Sequence, residues 1–177
     1  MKDHFDLLIR NATIIDGTGA ARFDGDIGVR GDRIVKIGRL DRAQGDVEVD
    51  ASGKVAAPGF IDAHTHDDRL MLSAGEMAPK VSQGVTTVVA GNCGISLSPM
   101  AGGMKGVVPS PLDLLDNEGK WFRFPTFGAY VEELRAHPAA ANCALLVGHM
   151  TLRVATMDNL DRPATAAEIG RMRELVR

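Results

Sequence analysis

Apolar positions follow two different periods along the chain. Over residues 5–57 they alternate with polar ones, the spacing of half-buried strands. Residues 5–15 are rich in Leu, Ile and Thr, and Asp16-Gly17-Thr18-Gly19 breaks them. Ile27 and Val29 alternate with polar neighbours, Gly31-Asp32 marks a turn, and Ile34, Val35 and Ile37 follow as a further strand. Val47 and Val49 alternate again before the turn at Ala51-Ser52-Gly53. The pattern predicts a small all-β segment over 1–57. A few short strands in about 50 residues have little core of their own, so the segment needs a partner: the next domain, another chain, or sequence that is missing here.

The period changes near Val55. Apolar strands at 60–63, 85–90 and 143–147 now alternate with helical stretches, which predicts βα units and a parallel sheet over 58–177. Val85-Thr86-Thr87-Val88-Val89-Ala90 is a β-branched run of the kind buried on both faces. A helical stretch falls within 76–83, with Gly84 as its stop and Pro79 blurring its start. Thr126 reads as the N-cap of a helix whose Phe127, Tyr130, Val131 and Leu134 share a face, and Pro138 stops it. Thr165-Ala166-Ala167-Glu168 has the form of a capping box, opening a helix with Ile169, Met172 and Val176 on one side. The chain ends inside that pattern without a stop signal, as a fragment would.

Residues 95–125 form a long connection containing Gly and Pro, and connections of this length are usually functional or mobile. Trp121, Phe122, Phe124, Phe127 and Tyr130 cluster at its far end and in the helix start beyond. They either pin the loop to the body of the domain or form the apolar wall of a substrate pocket.

Composition narrows the function classes. The 177 residues are 45% hydrophobic with a formal net charge of −3, ordinary for a globular protein and without a basic footprint for nucleic acid. No apolar run is long enough to cross a bilayer, and Met1-Lys2-Asp3-His4 leads into a strand rather than a signal peptide. Two cysteines make no disulfide framework and fit a reducing, cytoplasmic compartment.

The densest chemistry lies in Pro58-Gly59-Phe60-Ile61-Asp62-Ala63-His64-Thr65-His66-Asp67-Asp68. Residues two apart on a strand share a face, so His64 and His66 project side by side, half of a divalent-metal site. The plainer reading is two polar residues opening a loop. Each predicted strand ends in candidate chemistry: His64 and His66, then Cys93 in Gly91-Asn92-Cys93-Gly94, then His149 and Arg153. In parallel α/β folds the active site sits at those carboxyl ends. Cys93 beside the histidine pair would complete a zinc-type donor set, although a lone Cys in a Gly-rich turn also suits a small buried residue. Cys143, inside a strand, reads as core, and His4 and His137 as solvent-facing.

These segments resemble a known family. Pro-Gly-Phe-Ile-Asp-Ala-His-Thr-His after a β-rich segment is similar to the start of the amidohydrolase superfamily. The continuation through Asp67-Asp68, Ser82-Gln83-Gly84-Val85-Thr86-Thr87-Val88, Gly91-Asn92-Cys93-Gly94 and Gly148-His149-Met150-Thr151-Leu152-Arg153 resembles the D-aminoacylases, or N-acyl-D-amino-acid deacylases. The resemblance implies the first three βα units of a (β/α)8 barrel, a TIM-type α/β fold, preceded by a β-sandwich segment completed by strands from elsewhere. It implies zinc-dependent hydrolysis of the amide of N-acyl-D-amino acids, a small-molecule substrate and no nucleic-acid or membrane partner. Cys93 then ligates a tighter-bound Zn2+ and His64 with His66 face a second, weaker position, while Asp67 and Asp68 orient imidazoles or remain solvated loop carboxylates. Arg153 grips the substrate carboxylate or forms a surface ion pair, and His149 lies beside the substrate. Further histidines and a general-base Asp would lie beyond residue 177. Such a barrel takes about 250 residues, so the chain as given is expected to be incomplete and inactive. Two other readings stay open: an amidohydrolase acting on cyclic amides or as a deaminase, and a non-enzymatic metal-binding fragment.

Overall fold

The structure, a computed structural model, describes residues 3–177; Met1 and Lys2, which open the sequence-predicted N-terminal strand approach, lie outside the described residues. The chain divides into two compact units, one ending at Pro58 and the other spanning Gly59–Arg177.

The first unit holds β1 (His4–Ile14), β2 (Phe23–Arg30), β3 (Arg33–Gly38), β4 (Gln44–Asp50) and β5 (Val55–Ala56). They form one sheet in the order β3-β2-β1-β4, with β5 also on β1. The hairpin pairs β1–β2 and β2–β3 are antiparallel, and β4 and β5 run parallel to β1. Asn11 takes a positive φ of 59° where the β1–β2 register shifts, and its N–H donates to the buried Asp26 carboxylate. Two small apolar clusters result, Phe5 with Leu8, Leu40 and Ala43, and Ala12 with Ile14, Ile27 and Ala51. Ile34, Ile37, Val47 and Val49 stay exposed.

The second unit is a mixed α/β arrangement consistent with part of a (β/α)8 barrel. Its strands β6 (Phe60–Thr65), β7 (Val85–Ala90) and β8 (Asn142–Leu145) are parallel, in the order β6-β7-β8. Its helices are α1 (Leu70–Ser73), α2 (Ala78–Val81), α3 (Phe127–Ala136), α4 (His149–Thr156) and α5 (Ala166–Val176). The helix expected over 76–83 is a single turn. Met77 enters it with a positive φ of 46°, Pro79 stands in its first turn, and Gly84 leaves it at φ +80°. The third strand ends two residues early. Leu146 N–H still donates to the Ala90 carbonyl at 3.0 Å, and its own carbonyl lies where a Cβ at Gly91 would sit, so the chain runs close against the turn after β7. His149 therefore opens α4 instead of ending a strand.

The connection over 95–125 is largely packed. Ile95, Leu97, Met100, Leu112, Phe122 and Phe124 join Val88, Ala90 and Tyr130 in the main core. Phe124 packs at a tilt against Tyr130 with 5.1 Å between ring centroids, and the Tyr130 hydroxyl donates to the Asp68 carbonyl at 3.0 Å. Phe122, Phe124 and Tyr130 thus serve to pin the loop. Cys143 corrects an expectation. It lies in β8 but is exposed: side chains stand perpendicular to the sheet, and the face on which Cys143 lies is left uncovered by the described residues. His4 and His137 are exposed. No helix among the described residues is long and apolar enough to cross a membrane.

Both predicted caps form. Thr126 Oγ1 accepts from Ala129 N–H at 3.1 Å, and Thr165 and Glu168 make the reciprocal capping box of α5. Arg162 grips the Glu168 carboxylate through both terminal nitrogens, at 2.8 and 2.6 Å. That guanidinium, followed by the Thr165 N–H, holds the Glu168 carboxyl well below the usual carboxylate range. A depressed folded pKa gives stability that is present above the unfolded value, about 4.3, and lost as pH falls below it. Thr165→Ala is expected to weaken α5 by about 1 kcal/mol, read as faster amide exchange over Ala166–Val176. Glu168→Gln should do the same at neutral pH. After correction for intrinsic exchange, its difference from the parent should shrink as the solution is acidified below that range; a pH-independent difference would refute the assignment.

Candidate metal centre

The carboxyl ends of β6 and β7 carry the strongest grouping of chemistry. On β6, Thr65 turns into the interior and is buried, while His64, one residue earlier, is exposed on the opposite face. His66 follows with the same alternation, and the two imidazole rings stand 5.7 Å apart, edge to face. The ladder to β7 is irregular between Asp62 and Thr65, which re-aims this end of the strand.

The turn after β7 supplies the third donor. Gly91 and Gly94 both take positive φ, +90° and +78°, and Gly94 N–H closes the turn on the Gly91 carbonyl at 3.3 Å. Asn92 Nδ2 donates to the Ala63 carbonyl, tying this turn to the strand that carries the histidines. Cys93 is thereby held out toward β6, its Sγ 2.6 Å from His64 Nε2. Donor atoms of His64, His66 and Cys93 all lie within 4.8 Å of one another, and theirs is the grouping of this kind among the described residues. Two imidazole nitrogens and a thiol sulfur form a donor set suited to zinc. Cys93 is exposed, so the sequence alternative of a small buried cysteine does not hold.

The other predicted residues lie around this centre. His149 is the first residue of α4, outside the three-donor grouping, and lines a mostly apolar groove with Leu152, Ile169 and Met172. The loop that carries it is pinned to the Cys93 turn. Met150 N–H donates to the Gly94 carbonyl at 2.7 Å, and Gly148 N–H to Ser96 Oγ at 2.9 Å. Arg153 is one helical turn beyond His149, and its Nη2 donates to the Leu160 and Arg162 carbonyls at 2.9 and 3.0 Å. Those contacts replace the surface ion pair allowed by the sequence.

Neither aspartate after His66 is a solvated loop carboxylate. Asp67 Oδ2 lies 3.1 Å from Lys80 Nζ. Asp68 is 1% exposed, and burial pushes its pKa up to about 6; among the described residues neither Asp67 Oδ2 nor Asp68 Oδ2 has a hydrogen-bond partner. Sequence reasoning missed three residues of this neighbourhood: Asp62, Lys80 and Asn92. Lys80 on α2 lies 2.6 Å from Asp62 Oδ2, which holds the Asp62 carboxyl below the usual range and raises Lys80 above its own. No local pattern flags Lys80. Asn92 stood inside a motif already singled out for Cys93, and Asp62 lies two residues before His64 on the same strand.

Comparison with known proteins agrees with the resemblance read from the motifs. Residues 47–177 match the amidohydrolase family. The chain is 56% identical over 171 residues to a D-aminoacylase of Alcaligenes xylosoxydans xylosoxydans, covering 97% of this chain and 34% of that protein. It is 39% identical over 176 residues to an N-acyl-D-glutamate deacylase of the same organism, covering 99% and 35%. A crystal structure of a D-aminoacylase superposes with a TM-score of 0.91 at 54% identity, over 97% of this chain and 35% of that one. An N-acyl-D-glutamate deacylase from Bordetella bronchiseptica, complexed with zinc and a phosphonate inhibitor, superposes with a TM-score of 0.88 at 42% identity, over 98% and 35%. The chain spans about a third of the length of the relatives it matches.

Proposed function

The chain belongs to the amidohydrolase superfamily, in its D-aminoacylase and N-acyl-D-amino-acid deacylase branch, and from that premise we propose that it supplies part of a zinc-dependent site for hydrolysing the amide of N-acyl-D-amino acids. The observation that carries the reading is the Cys93 thiol set against His64 within a three-donor cluster at the strand ends. Two imidazoles beside a cysteine sulfur make a zinc-type donor set, and a related N-acyl-D-glutamate deacylase is complexed with zinc.

On this reading Gly59–Arg177 is the first three βα units of the barrel, and the preceding unit is a β-sandwich segment awaiting further strands. His64, His66 and Cys93 hold the ion. A divalent ion bound there would supply Lewis acidity, acidifying water and stabilising negative charge on the amide oxygen. Asp67 and Asp68 support the histidine segment from behind. His149, held beside the Cys93 turn, orients the acyl substrate. Arg153 presents a guanidinium whose planar fork suits the α-carboxylate; with Nη2 held by two carbonyls, its remaining donors take that part.

The test is hydrolysis of an N-acyl-D-amino acid against its L enantiomer by the full-length gene product, with a cyclic amide as a third substrate. Preference for the D form is expected, and turnover of the cyclic amide alone would overturn the reading. His149→Ala is expected to keep its zinc and lose turnover by about 100-fold or more, the scale of a lost positioning or proton-transfer group. Loss of the metal would instead make His149 a ligand.

A further inference from the structure

One cation touches the histidine strand from behind at three consecutive contact points. Lys80 Nζ donates to Asp62 Oδ2 at 2.6 Å and to Thr65 Oγ1 at 3.1 Å, and it lies 3.1 Å from Asp67 Oδ2, an ion pair without a hydrogen bond. In sequence those partners stand before, between and after His64 and His66. The Asp62 side chain also reaches forward, its Oδ1 accepting from His64 N–H at 3.3 Å. Thr65 is buried on the face away from the imidazoles, and the register shift between Asp62 and Thr65, which pair with Val88 and Ala90 of β7, brings Asp62 to that same face, so Lys80 works on the opposite side of the strand from the donors.

The lysine itself is well anchored. Its helix is one turn long, but Met77, which opens that turn in a left-handed conformation, is fully buried in the main core. The ion pairs are partly withdrawn from water, with Lys80 21% and Asp67 14% exposed at the side chain, where screening is weaker than at the surface. Without the cation, the Asp62 and Asp67 carboxylates would face each other across Thr65 with no counter-charge, and their repulsion would act on the segment carrying both imidazoles.

We propose that Lys80 is a positioning residue for the metal centre: it clamps Asp62, Thr65 and Asp67 and so fixes how His64 and His66 are presented toward Cys93. The inference rests on the reading of those three side chains as metal donors. Supports of this kind one shell out from a metal typically contribute about 10–100-fold to its affinity.

The experiment is Co2+ titration of the metal-stripped full-length gene product, read by chelator competition and by the visible absorption of the bound ion. Parent protein, Lys80→Met, Lys80→Arg and Asp67→Asn are compared, each checked by circular dichroism. Lys80→Met is expected to bind Co2+ about 10–100-fold more weakly, with an altered band shape. Lys80→Arg should recover most of both, since a guanidinium spans two carboxylates. Asp67→Asn keeps the Asp62–Lys80 pair and should show a smaller shift in the same direction; it decides the matter if Lys80→Met does not fold. A folded Lys80→Met, or Asp67→Asn in its place, with unchanged affinity and spectrum overturns the proposal. So does a lowered melting temperature with the Co2+ spectrum intact, which marks a purely structural ion pair. If the parent protein takes up no Co2+, the metal reading itself fails and the clamp falls with it.

Discussion

Cys93→Ala in the full-length gene product is expected to lose bound zinc and amide hydrolysis together. The thiol is one of three donors within 4.8 Å, and the substitution leaves two imidazoles. Losing an outer-shell support costs about 10–100-fold in metal affinity, and losing a thiolate ligand should cost more. Elemental analysis after exhaustive dialysis reads the effect directly. Cys93→Ser, close in size, should also lose most of its zinc, because a neutral hydroxyl is a poor substitute for thiolate. Cys143→Ala is the control: that thiol is exposed on β8, outside the donor cluster, and its removal should leave zinc content unchanged. A Cys93→Ala protein with full zinc would remove Cys93 from the site.

Residues 1–177 on their own are expected to self-associate. In the first unit Ile34 is 62% exposed and Val47 56%; in the second, Phe60 is 65% and Ile61 66%. The edges add to this. β6 and β8 each pair on one side only, as do β3 and β4, which leaves rows of unpaired backbone groups. Burying one such side chain is worth about 1.5–3 kcal/mol, and a domain's net stability is only about 5–15 kcal/mol. Several uncovered side chains therefore weigh as much as the whole margin, and a second copy is the nearest surface that can cover them. Sedimentation velocity should show concentration-dependent oligomers or aggregates. A monodisperse monomer with a single cooperative melting transition would overturn this.

The adjacency of His64 and His66 was legible in the sequence, since strand alternation depends only on neighbours two residues apart. So were the Thr126 cap and the Thr165–Glu168 capping box, whose partners lie three residues away. The approach of Cys93 needed one further step, the parallel pairing of consecutive strands, and β6 and β7 do pair that way. The third strand ends at Leu145, two residues short of the sequence reading, where the chain passes close over Gly91 in the turn after β7, a contact that nothing near Leu146 in sequence announces.

What only the tertiary structure decided lies in longer-range placement. Cys143 has the sequence surroundings of a core residue, yet it is exposed, because whether a strand face is covered depends on distant segments that one strand's pattern does not record. Asp67 and Asp68 look alike in sequence. One meets Lys80 and the other is buried beneath the loop with its pKa pushed up to about 6, because desolvation depends on what packs above it. The aromatic cluster allowed two readings until Phe122 and Phe124 were found inside the core. Lys80 reaches Asp62 across 18 residues. Periodicity and caps are set by forces acting over a few residues of chain, so the sequence determines them alone; ion pairing and burial depend on which distant segments meet, and that was decided by the fold.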